Sequence, residues 1–249
     1  TLIHKIDPHR LYWLGTSLGG LIGMTIAAQN RQSIAKLVLN DVGAVIAAES
    51  LARIGRYVGV TPRFRSLAEA ENYLRQIHAP FGPLTDAQWR DLTRHSVRQE
   101  AAGHWVLHYD PAIALPFRSA FAPQAVDLWP LYEQITCPTL LVRGSESDLL
   151  PAEVARAMTE RGPKATLVEF AGIGHAPMLL DPDQIAVVRQ FLCRVVSAAR
   201  QSFLPPADSS DRAGRPVARR GSPPPALSPA GLPPPATKQR PARRWRGRG

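Results

Sequence analysis

The segment Gly15-Thr16-Ser17-Leu18-Gly19-Gly20 decides how this sequence is expected to fold. An apolar run over residues 11–14 precedes it, and an apolar pattern with helical spacing follows it. The order strand, Gly-x-Ser-x-Gly, helix predicts a sharp turn whose apex exposes the serine hydroxyl. We expect Gly15 and Gly19 to leave room for neighbouring backbone on the two sides of that turn. The segment therefore predicts a buried strand and a closely packed helix that are joined at Ser17.

Ser17 is the candidate nucleophile of this turn. A glycine-rich turn with an incidental serine is the alternative, but the strand before it and the helix after it favour a reactive role. The N–H of Leu18 lies at the start of the predicted helix, where backbone donors and the helix dipole favour negative charge. We therefore expect this N–H to stabilise an oxyanion that forms next to Ser17.

A serine hydroxyl reacts slowly at neutral pH, so it needs a histidine base that is oriented by a carboxylate. His175 is the predicted base, because it lies in a glycine-rich loop after the apolar strand pattern of residues 166–170. Asp148 is the predicted orienting acid, in the loop after the apolar strand pattern of residues 139–143. Both loops leave the carboxyl ends of strands, and in a parallel sheet those ends meet at one edge.

Two other carboxylates compete with Asp148 for the orienting role. Asp41 ends the apolar strand pattern of residues 36–41, and Glu146 lies in the same loop as Asp148. Either of them would also emerge at the shared edge of a parallel sheet. The sequence favours Asp148 and leaves Asp41 and Glu146 open.

The strand and helix patterns divide the chain into four parts. Residues 1–43 hold the strand–turn–helix unit and a second strand. Residues 44–134 lack an evident buried parallel strand, and helical patterns dominate them over 47–58, 66–78 and 85–98. Residues 135–204 return to strand–helix alternation, with helices over 151–161 and 184–198. We expect a parallel sheet flanked by helices, interrupted by a helical insertion.

Residues 205–249 form a tail of different composition. They hold 11 of the 24 prolines, with ten Lys or Arg residues against two Asp or Glu residues, so most of the net charge of +10 belongs to them. They have too few apolar residues to build a core, which predicts disorder. The run Arg243–Gly249 carries Trp245 and could attract nucleic acid, but a solvated extension is the simpler interpretation, and we predict no specific nucleic-acid partner.

Other residue types argue against metal, cofactor and membrane roles. Cys137 and Cys193 lie far apart and outside metal-binding spacing, which suits a reducing, cytoplasmic compartment. His104 and His108 are four residues apart, but the residues between them look extended and the Glu of a helical zinc motif is absent. We therefore predict no metal and no cofactor. Because the sequence has no apolar run of membrane-spanning length, we predict no membrane partner.

Taken together, these motifs resemble the alpha/beta hydrolase superfamily over about residues 5–200. The shared features are the order Ser, Asp, His, the Gly-Thr-Ser-Leu-Gly-Gly turn, the Gly-x-x-x-Asp and Gly-His loops, and the helical insertion. The resemblance implies Ser17 as nucleophile, His175 as base, Asp148 as orienting acid and the Leu18 N–H as oxyanion donor.

The same resemblance assigns a part to each region of the chain. Residues 1–43 and 135–204 would belong to the hydrolase core, and residues 44–134 would form a cap that shapes the substrate pocket. It implies hydrolysis of a small carboxylic ester or related acyl compound through an acyl-enzyme. The alternatives are an acyltransferase, lactonase or carbon–carbon-bond hydrolase with the same triad, or a catalytically crippled fragment whose basic tail attracts nucleic acid. A serine at the turn speaks against the haloalkane dehalogenase and epoxide hydrolase branches, which place an aspartate there.

The sequence departs from the superfamily pattern before the turn. Members carry several strands there, including a loop that supplies a second oxyanion donor, whereas this sequence starts at Thr1. We interpret it as an N-terminally truncated fragment with an apolar sheet edge that favours aggregation. We expect residues 1–249 alone to be poorly soluble and weakly active, and a full-length parent to be active. Good solubility and undiminished esterase turnover from residues 1–249 would contradict this expectation.

Overall fold

Strands and helices alternate at both ends of the described chain, and shorter elements fill its middle. The computed structural model describes residues 11–30, 33–118 and 124–194, and the statements below refer to these residues. In chain order the elements are β1 (Tyr12–Thr16), α1 (Leu18–Gln29), β2 (Lys36–Asn40), β3 (Val45–Ile46), α2 (Ala48–Tyr57), β4 (Arg63–Phe64), α3 (Leu67–Ile77), α4 (Asp86–Ser96), β5 (Val97–Gln99), β6 (Trp105–Leu107), β7 (Val126–Asp127), α5 (Trp129–Tyr132), β8 (Thr139–Gly144), α6 (Ala152–Glu160), β9 (Thr166–Phe170) and α7 (Pro182–Cys193). Two 3₁₀ helices span Ala79–Phe81 and Pro111–Arg118.

The chain divides into two units, Thr1–Ser197 and Ala198–Gly249. All described residues belong to the first unit. The second unit includes the whole predicted tail, so the prediction of disorder for residues 205–249 lies outside the described residues.

A four-stranded parallel sheet in the order β1-β2-β8-β9 forms the centre of the first unit. β2 and β8 are buried along their whole length. Alternate residues of β2 face opposite sides: Leu39 packs in one apolar cluster with Met24 of α1, and Val38 packs in another with Val188 of α7. Because both faces are covered, the inner strands have continuous apolar sequences. The predicted parallel sheet flanked by helices is confirmed.

β1 lies at one edge of this described sheet. It pairs with β2 on one side, with Leu14 opposite Val38. Tyr12 and Leu14 are 49% and 41% exposed. The strand that leads into Ser17 is therefore apolar and partly open to solvent.

The described residues between 45 and 132, which we call the insertion, join β2 to β8. Its three main helices begin and end within about two residues of the predicted ones. Ser66 caps α3 by accepting a hydrogen bond from the Glu69 N–H, and Thr85 and Gln88 form a capping box at the start of α4. These local signals explain why the helices could be predicted from sequence.

Helices dominate the insertion, but it also contains short antiparallel strands. β4, β6 and β5 form a small antiparallel sheet, and β3 pairs with β7. Each of these strands is only two or three residues long. A strand of that length is too short to give a recognisable alternation of apolar and polar residues.

Lys36 joins β2 to the end of α7. Its side chain is 2% exposed, and its ammonium group donates to the carbonyl oxygens of Phe191, Leu192 and Arg194. These carbonyls lie at a helix C-terminus, where the unpaired C=O groups and the helix dipole favour a positive charge. The buried lysine therefore fixes the last helix of the described chain against the sheet.

Candidate active site

The turn at Ser17 has the sharp geometry that its sequence predicts. Ser17 joins β1 to α1 with φ 51° and ψ −119°, a conformation that residues with a Cβ atom rarely adopt. Its N–H donates to the carbonyl of Asn40 at 3.1 Å. Its own carbonyl accepts from the N–H groups of Gly20 and Leu21 at 2.9 and 3.1 Å. These bonds hold Ser17 between the end of β1 and the first turn of α1.

Close backbone packing at the turn requires Gly15 and Gly20. A methyl group on Gly15 would lie 2.2 Å from the backbone of Gly19, and one on Gly20 would lie 2.5 Å from Cγ1 of Val42. The prediction that Gly19 has the second of these roles is wrong. A methyl group on Gly19 would meet no atom within 4 Å in the described part of the chain. The reason is that Gly20, and not Gly19, faces the sheet where α1 begins.

His175 and Asp41 form a hydrogen-bonded pair. His175 follows β9 in the predicted loop, and its Nδ1 lies 2.8 Å from Oδ2 of Asp41. A carboxylate only accepts hydrogen bonds, so Nδ1 carries the hydrogen and Nε2 of the neutral ring can accept a proton. The imidazole is 11% exposed and the carboxylate is fully buried. This arrangement fixes both the tautomer and the orientation of the ring.

Asp41 is itself held by the strand ends around it. It directly follows β2, and its N–H donates to the carbonyl of Val142 at 2.8 Å. Its Oδ1 accepts from the N–H of Gly144, the last residue of β8, at 3.0 Å. A methyl group on Gly144 would lie 2.3 Å from the carbonyl oxygen of Ile173. The glycine therefore lets the chains that leave β8 and β9 approach each other beside Asp41.

Asp148, the acid preferred from the sequence, does not occupy the position next to His175. Its Oδ1 accepts from Nη2 of Arg53 on α2 at 2.9 Å, and its side chain is 51% exposed. The carboxylate beside the imidazole is Asp41, which the sequence left open as an alternative. Glu146, the other alternative, is exposed.

The loop after β8 explains why Asp148 lies elsewhere. The hydroxyl of Ser147 accepts from the N–H of Leu150 at 3.1 Å, which closes a turn around Asp148. The carbonyl of Asp148 accepts from the hydroxyl of Ser50 on α2 at 2.8 Å. Both the backbone and the side chain of Asp148 therefore contact the insertion. A sequence gives the strand after which an acid lies, but not the direction in which a loop of this length turns.

Asn40 links the two loops that carry Ser17 and His175. Its Nδ2 donates to Oγ1 of Thr16 at 2.9 Å and to the carbonyl of Pro177 at 2.8 Å. The residue is 1% exposed, and its Oδ1 has no hydrogen-bond partner among the described residues. Asn40 was not among the predicted site residues, although a polar side chain at the end of an apolar strand is a signal that could have indicated it.

Ser17 and His175 line one cavity of about 420 Å³, which we call the Ser17 cavity. Leu18, the first residue of α1, also lines it, and its N–H is one of the first helical N–H groups, which have no partner within a helix. The remaining lining residues come from both the sheet region and the insertion, and almost all are apolar: Leu21, Val42, Ile46, Leu51, Ile54, Tyr57, Val58, Ile113 and Leu149. The cavity therefore offers a hydroxyl and an imidazole to an otherwise apolar ligand.

The other candidate residues, His104, His108 and Cys137, do not line the Ser17 cavity. His104 and His108 flank β6, an extended segment as predicted, and the described residues contain no group of three or more His, Cys, Asp or Glu side chains arranged for a metal. Burial raises the pKa of the Cys137 thiol to about 11, so this thiol is a poor nucleophile at neutral pH. None of the helices in the described ranges combines the length and the apolar character needed to cross a bilayer.

Known proteins resemble this chain in sequence and in fold. A sequence model described as "Alpha/beta hydrolase family" matches residues 1–188. A 3-hydroxybutyrate-oligomer hydrolase of Cupriavidus necator is 43% identical over 199 residues, which cover 77% of this chain and 68% of that protein. A pimeloyl-(acyl-carrier protein) methyl ester esterase of Sodalis glossinidius is 26% identical over 182 residues, which cover 70% of this chain and 66% of that protein.

A solved structure extends the comparison to coordinates. The crystal structure of an alpha/beta hydrolase from Novosphingobium aromaticivorans matches with a TM-score of 0.69 and 38% identity, over 78% of this chain and 69% of that one. The chain thus spans about two thirds of the length of these three proteins.

Proposed function

Since the chain belongs to the alpha/beta hydrolase family, we propose that it is a serine hydrolase that cleaves a carboxylic ester through an acyl-enzyme. Ser17 is the nucleophile, His175 the general base and Asp41 the orienting acid. The observation that carries the proposal is the 2.8 Å bond between His175 Nδ1 and Asp41 Oδ2, on a ring that lines the same cavity as Ser17. This is the constellation that activates a serine hydroxyl on several unrelated folds.

The first half of the reaction forms the acyl-enzyme. His175 Nε2 takes the proton of the Ser17 hydroxyl while Oγ attacks the ester carbonyl, and the carbonyl electrons move to its oxygen. The Leu18 N–H at the start of α1 stabilises this oxyanion, with help from the dipole of the helix. Asp41 stabilises the imidazolium that has formed and does not itself take the proton. The tetrahedral intermediate then expels the alcohol, which leaves with the proton from Nε2.

The second half releases the acid. His175 Nε2 takes a proton from water as the water oxygen attacks the acyl carbonyl, and a second tetrahedral intermediate forms at the same position. It collapses with cleavage of the bond to Ser17 Oγ, which recovers its proton from Nε2. The carboxylic acid departs, and the residues return to their starting protonation states.

The relatives and the cavity support an ester as the substrate. One relative is named a methyl ester esterase, and the other a hydrolase of 3-hydroxybutyrate oligomers, whose units are joined by ester bonds. The Ser17 cavity is lined mainly by aliphatic side chains, which suits the apolar carbon chain of an acyl group. The proposed partner of this chain is therefore a neutral small-molecule ester.

An active-site-directed fluorophosphonate tests the proposal in the natural protein that contains residues 1–249. We expect covalent labelling of the tryptic peptide of residues 11–31, which contains Ser17, because only an activated serine attacks this reagent readily. Ser33, a buried serine just before β2 and away from the site, provides the matched control: the Ser33→Ala variant should be labelled as fast as the wild type. Absence of label from folded protein, or label on another peptide, would refute the proposal.

A further inference from the structure

A second cavity lies within the insertion, next to the Ser17 cavity. We call it the insertion cavity, and its volume is about 240 Å³. Three residues line both cavities, namely Tyr57, Val58 and Ile113. The two cavities therefore adjoin across these side chains. The other lining residues of the insertion cavity come from three further elements and the loops beside them: Tyr73, Leu74, Ile77, His78, Ser96, Leu107 and Tyr109.

The insertion cavity is polar in places but carries no formal charge. Among the described residues that line it there is no Asp, Glu, Lys or Arg. Burial lowers the pKa of His78 to about 4, so this imidazole is neutral at physiological pH. Burial also raises the pKa of the Tyr73 hydroxyl, which therefore stays protonated. Neutral hydroxyl groups on an apolar wall suit a neutral, mainly apolar ligand group and disfavour a carboxylate, which would lose its hydration there.

We infer that the insertion cavity is a binding subsite for the far end of an extended, uncharged acyl group. This inference rests on the proposed function, and it assigns the substrate class as esters whose acyl part is longer than the Ser17 cavity. Chemistry gives the direction of binding. When an ester bond of a hydroxyacid oligomer is cut, the free carboxylate belongs to the alcohol side, and the acyl side ends in a neutral hydroxyl. Only the acyl side therefore matches a cavity without charge.

A chain-length series in the natural protein tests this subsite, with p-nitrophenyl acetate and p-nitrophenyl octanoate as the two probes. Ser96→Phe fills the insertion cavity from the end of α4, at a residue that does not line the Ser17 cavity. Each methylene that loses its apolar contact lowers the binding constant by roughly fourfold. We therefore expect Ser96→Phe to lower the octanoate-to-acetate ratio of kcat/KM at least tenfold. Ile77→Phe fills the same cavity from α3 and should also lower the octanoate-to-acetate ratio. It provides a second test in case Ser96→Phe does not fold.

Ala87→Phe is the matched control, because it adds the same ring to an exposed position of α4. It should leave the octanoate-to-acetate ratio within twofold of the wild type. An unchanged ratio in both folded cavity-filling variants would overturn the subsite while leaving the proposed function intact. Failure of the wild type to hydrolyse either ester would instead contradict the proposed function, and the subsite with it.

Asn40 connects the two loops that carry Ser17 and His175. Its amide group spans the two loops of the site, since it bonds the residue before Ser17 and a residue two positions after His175. It does so although its own Oδ1 is buried without a partner among the described residues, which is unfavourable for stability. A leucine of similar shape would avoid that unpaired oxygen but could not donate to either loop. We propose that Asn40 is a positioning residue, which sets the distance between the Ser17 hydroxyl and the His175 imidazole.

Asn40→Leu tests this role through the split between kcat and KM for p-nitrophenyl acetate. Small displacements of reacting groups lower rates by about 10- to 100-fold, so we expect kcat to fall by that factor while KM stays within twofold. Ser33→Ala is the matched control, because it also removes a buried side-chain donor, one that bonds the carbonyls of Ile26 and Asn30 at the opposite end of β2 from the site. It should lower thermal stability without this loss of kcat. Equal losses of kcat in the two variants, or an unchanged kcat in folded Asn40→Leu, would overturn the proposal.

Discussion

Replacement of Asp41 by Asn is expected to lower kcat for ester hydrolysis by about 10⁴. The carboxylate accepts a hydrogen bond from His175 Nδ1 and thereby leaves Nε2 free to act as the base. An amide NH₂ in its place would donate to Nδ1 and move the ring hydrogen to Nε2, which then could not accept the serine proton. The asparagine oxygen can still accept from the Gly144 N–H, so the fold should be retained. Steady-state kinetics with p-nitrophenyl acetate would measure the loss.

The Asp148→Asn variant is the matched control, since it makes the same chemical change in the carboxylate that the sequence alone preferred. The side chains of Arg53 and Asp148 are 36% and 51% exposed, and ion pairs that are this accessible to water contribute little to stability. We expect kcat to change by less than about threefold, because the ring tautomer is not affected. A large loss in Asp148→Asn together with a small one in Asp41→Asn would show that the acid is Asp148 after all.

Replacement of Ser17 by Ala is expected to lower kcat by about 10⁴–10⁶. The variant lacks the oxygen that forms the acyl-enzyme, so hydrolysis of p-nitrophenyl acetate should be lost. The initial burst of p-nitrophenol, which reports formation of the acyl-enzyme, should be lost as well. Ester binding should remain, because the apolar walls of the Ser17 cavity are unchanged. Stopped-flow kinetics would detect the burst in the wild type. Retention of a burst in Ser17→Ala would mean that another residue is acylated.

The Ser17→Gly variant separates the chemical role of this residue from its backbone strain. Both variants should be inactive, so they can be compared by their stability alone. Ser17 has φ 51°, and a residue with a Cβ atom in such a conformation destabilises the fold by about 1–3 kcal/mol. We expect Ser17→Gly to be more stable than Ser17→Ala by about 1 kcal/mol, despite the larger entropy of the unfolded glycine chain. Urea unfolding of the two variants would measure this difference, and equal stabilities would argue against strain at the turn.

Several features of the fold followed from local sequence signals. The turn at Ser17 is indicated by glycines at fixed spacing between an apolar strand and an apolar helix, and each of these signals lies within about 15 residues of the others. The helices of the insertion carry their own caps, such as Ser66 and Thr85. The continuous apolar character of β2 and β8 indicated strands buried on both faces. In each case, the residues that determine the structure are neighbours in the chain.

The contacts of the site depended on residues that are far apart in sequence. Asp41 and His175 are 134 positions apart, and Arg53 and Asp148 are 95 apart. Which carboxylate reaches the imidazole is decided by the turn after β8, and that turn is fixed by contacts to α2. Tertiary packing also decides that Gly20, and not Gly19, lies where a side chain would clash. The bonds from Asn40 to two loops likewise depend on how α1, β2 and the loop after β9 pack together.

The sequence by itself determined that this chain forms a parallel sheet with helices on both faces, that Ser17 lies in a sharp strand-to-helix turn, and that His175 follows the last described strand. Those features are set by local apolar periodicity and by glycine conformations, which a linear sequence records. Only the tertiary structure decided that Asp41 lies beside the imidazole, that Asp148 pairs with Arg53, and that the Ser17 cavity and the insertion cavity adjoin. These depend on the directions of loops and on contacts between distant elements, which are fixed by packing of the whole domain.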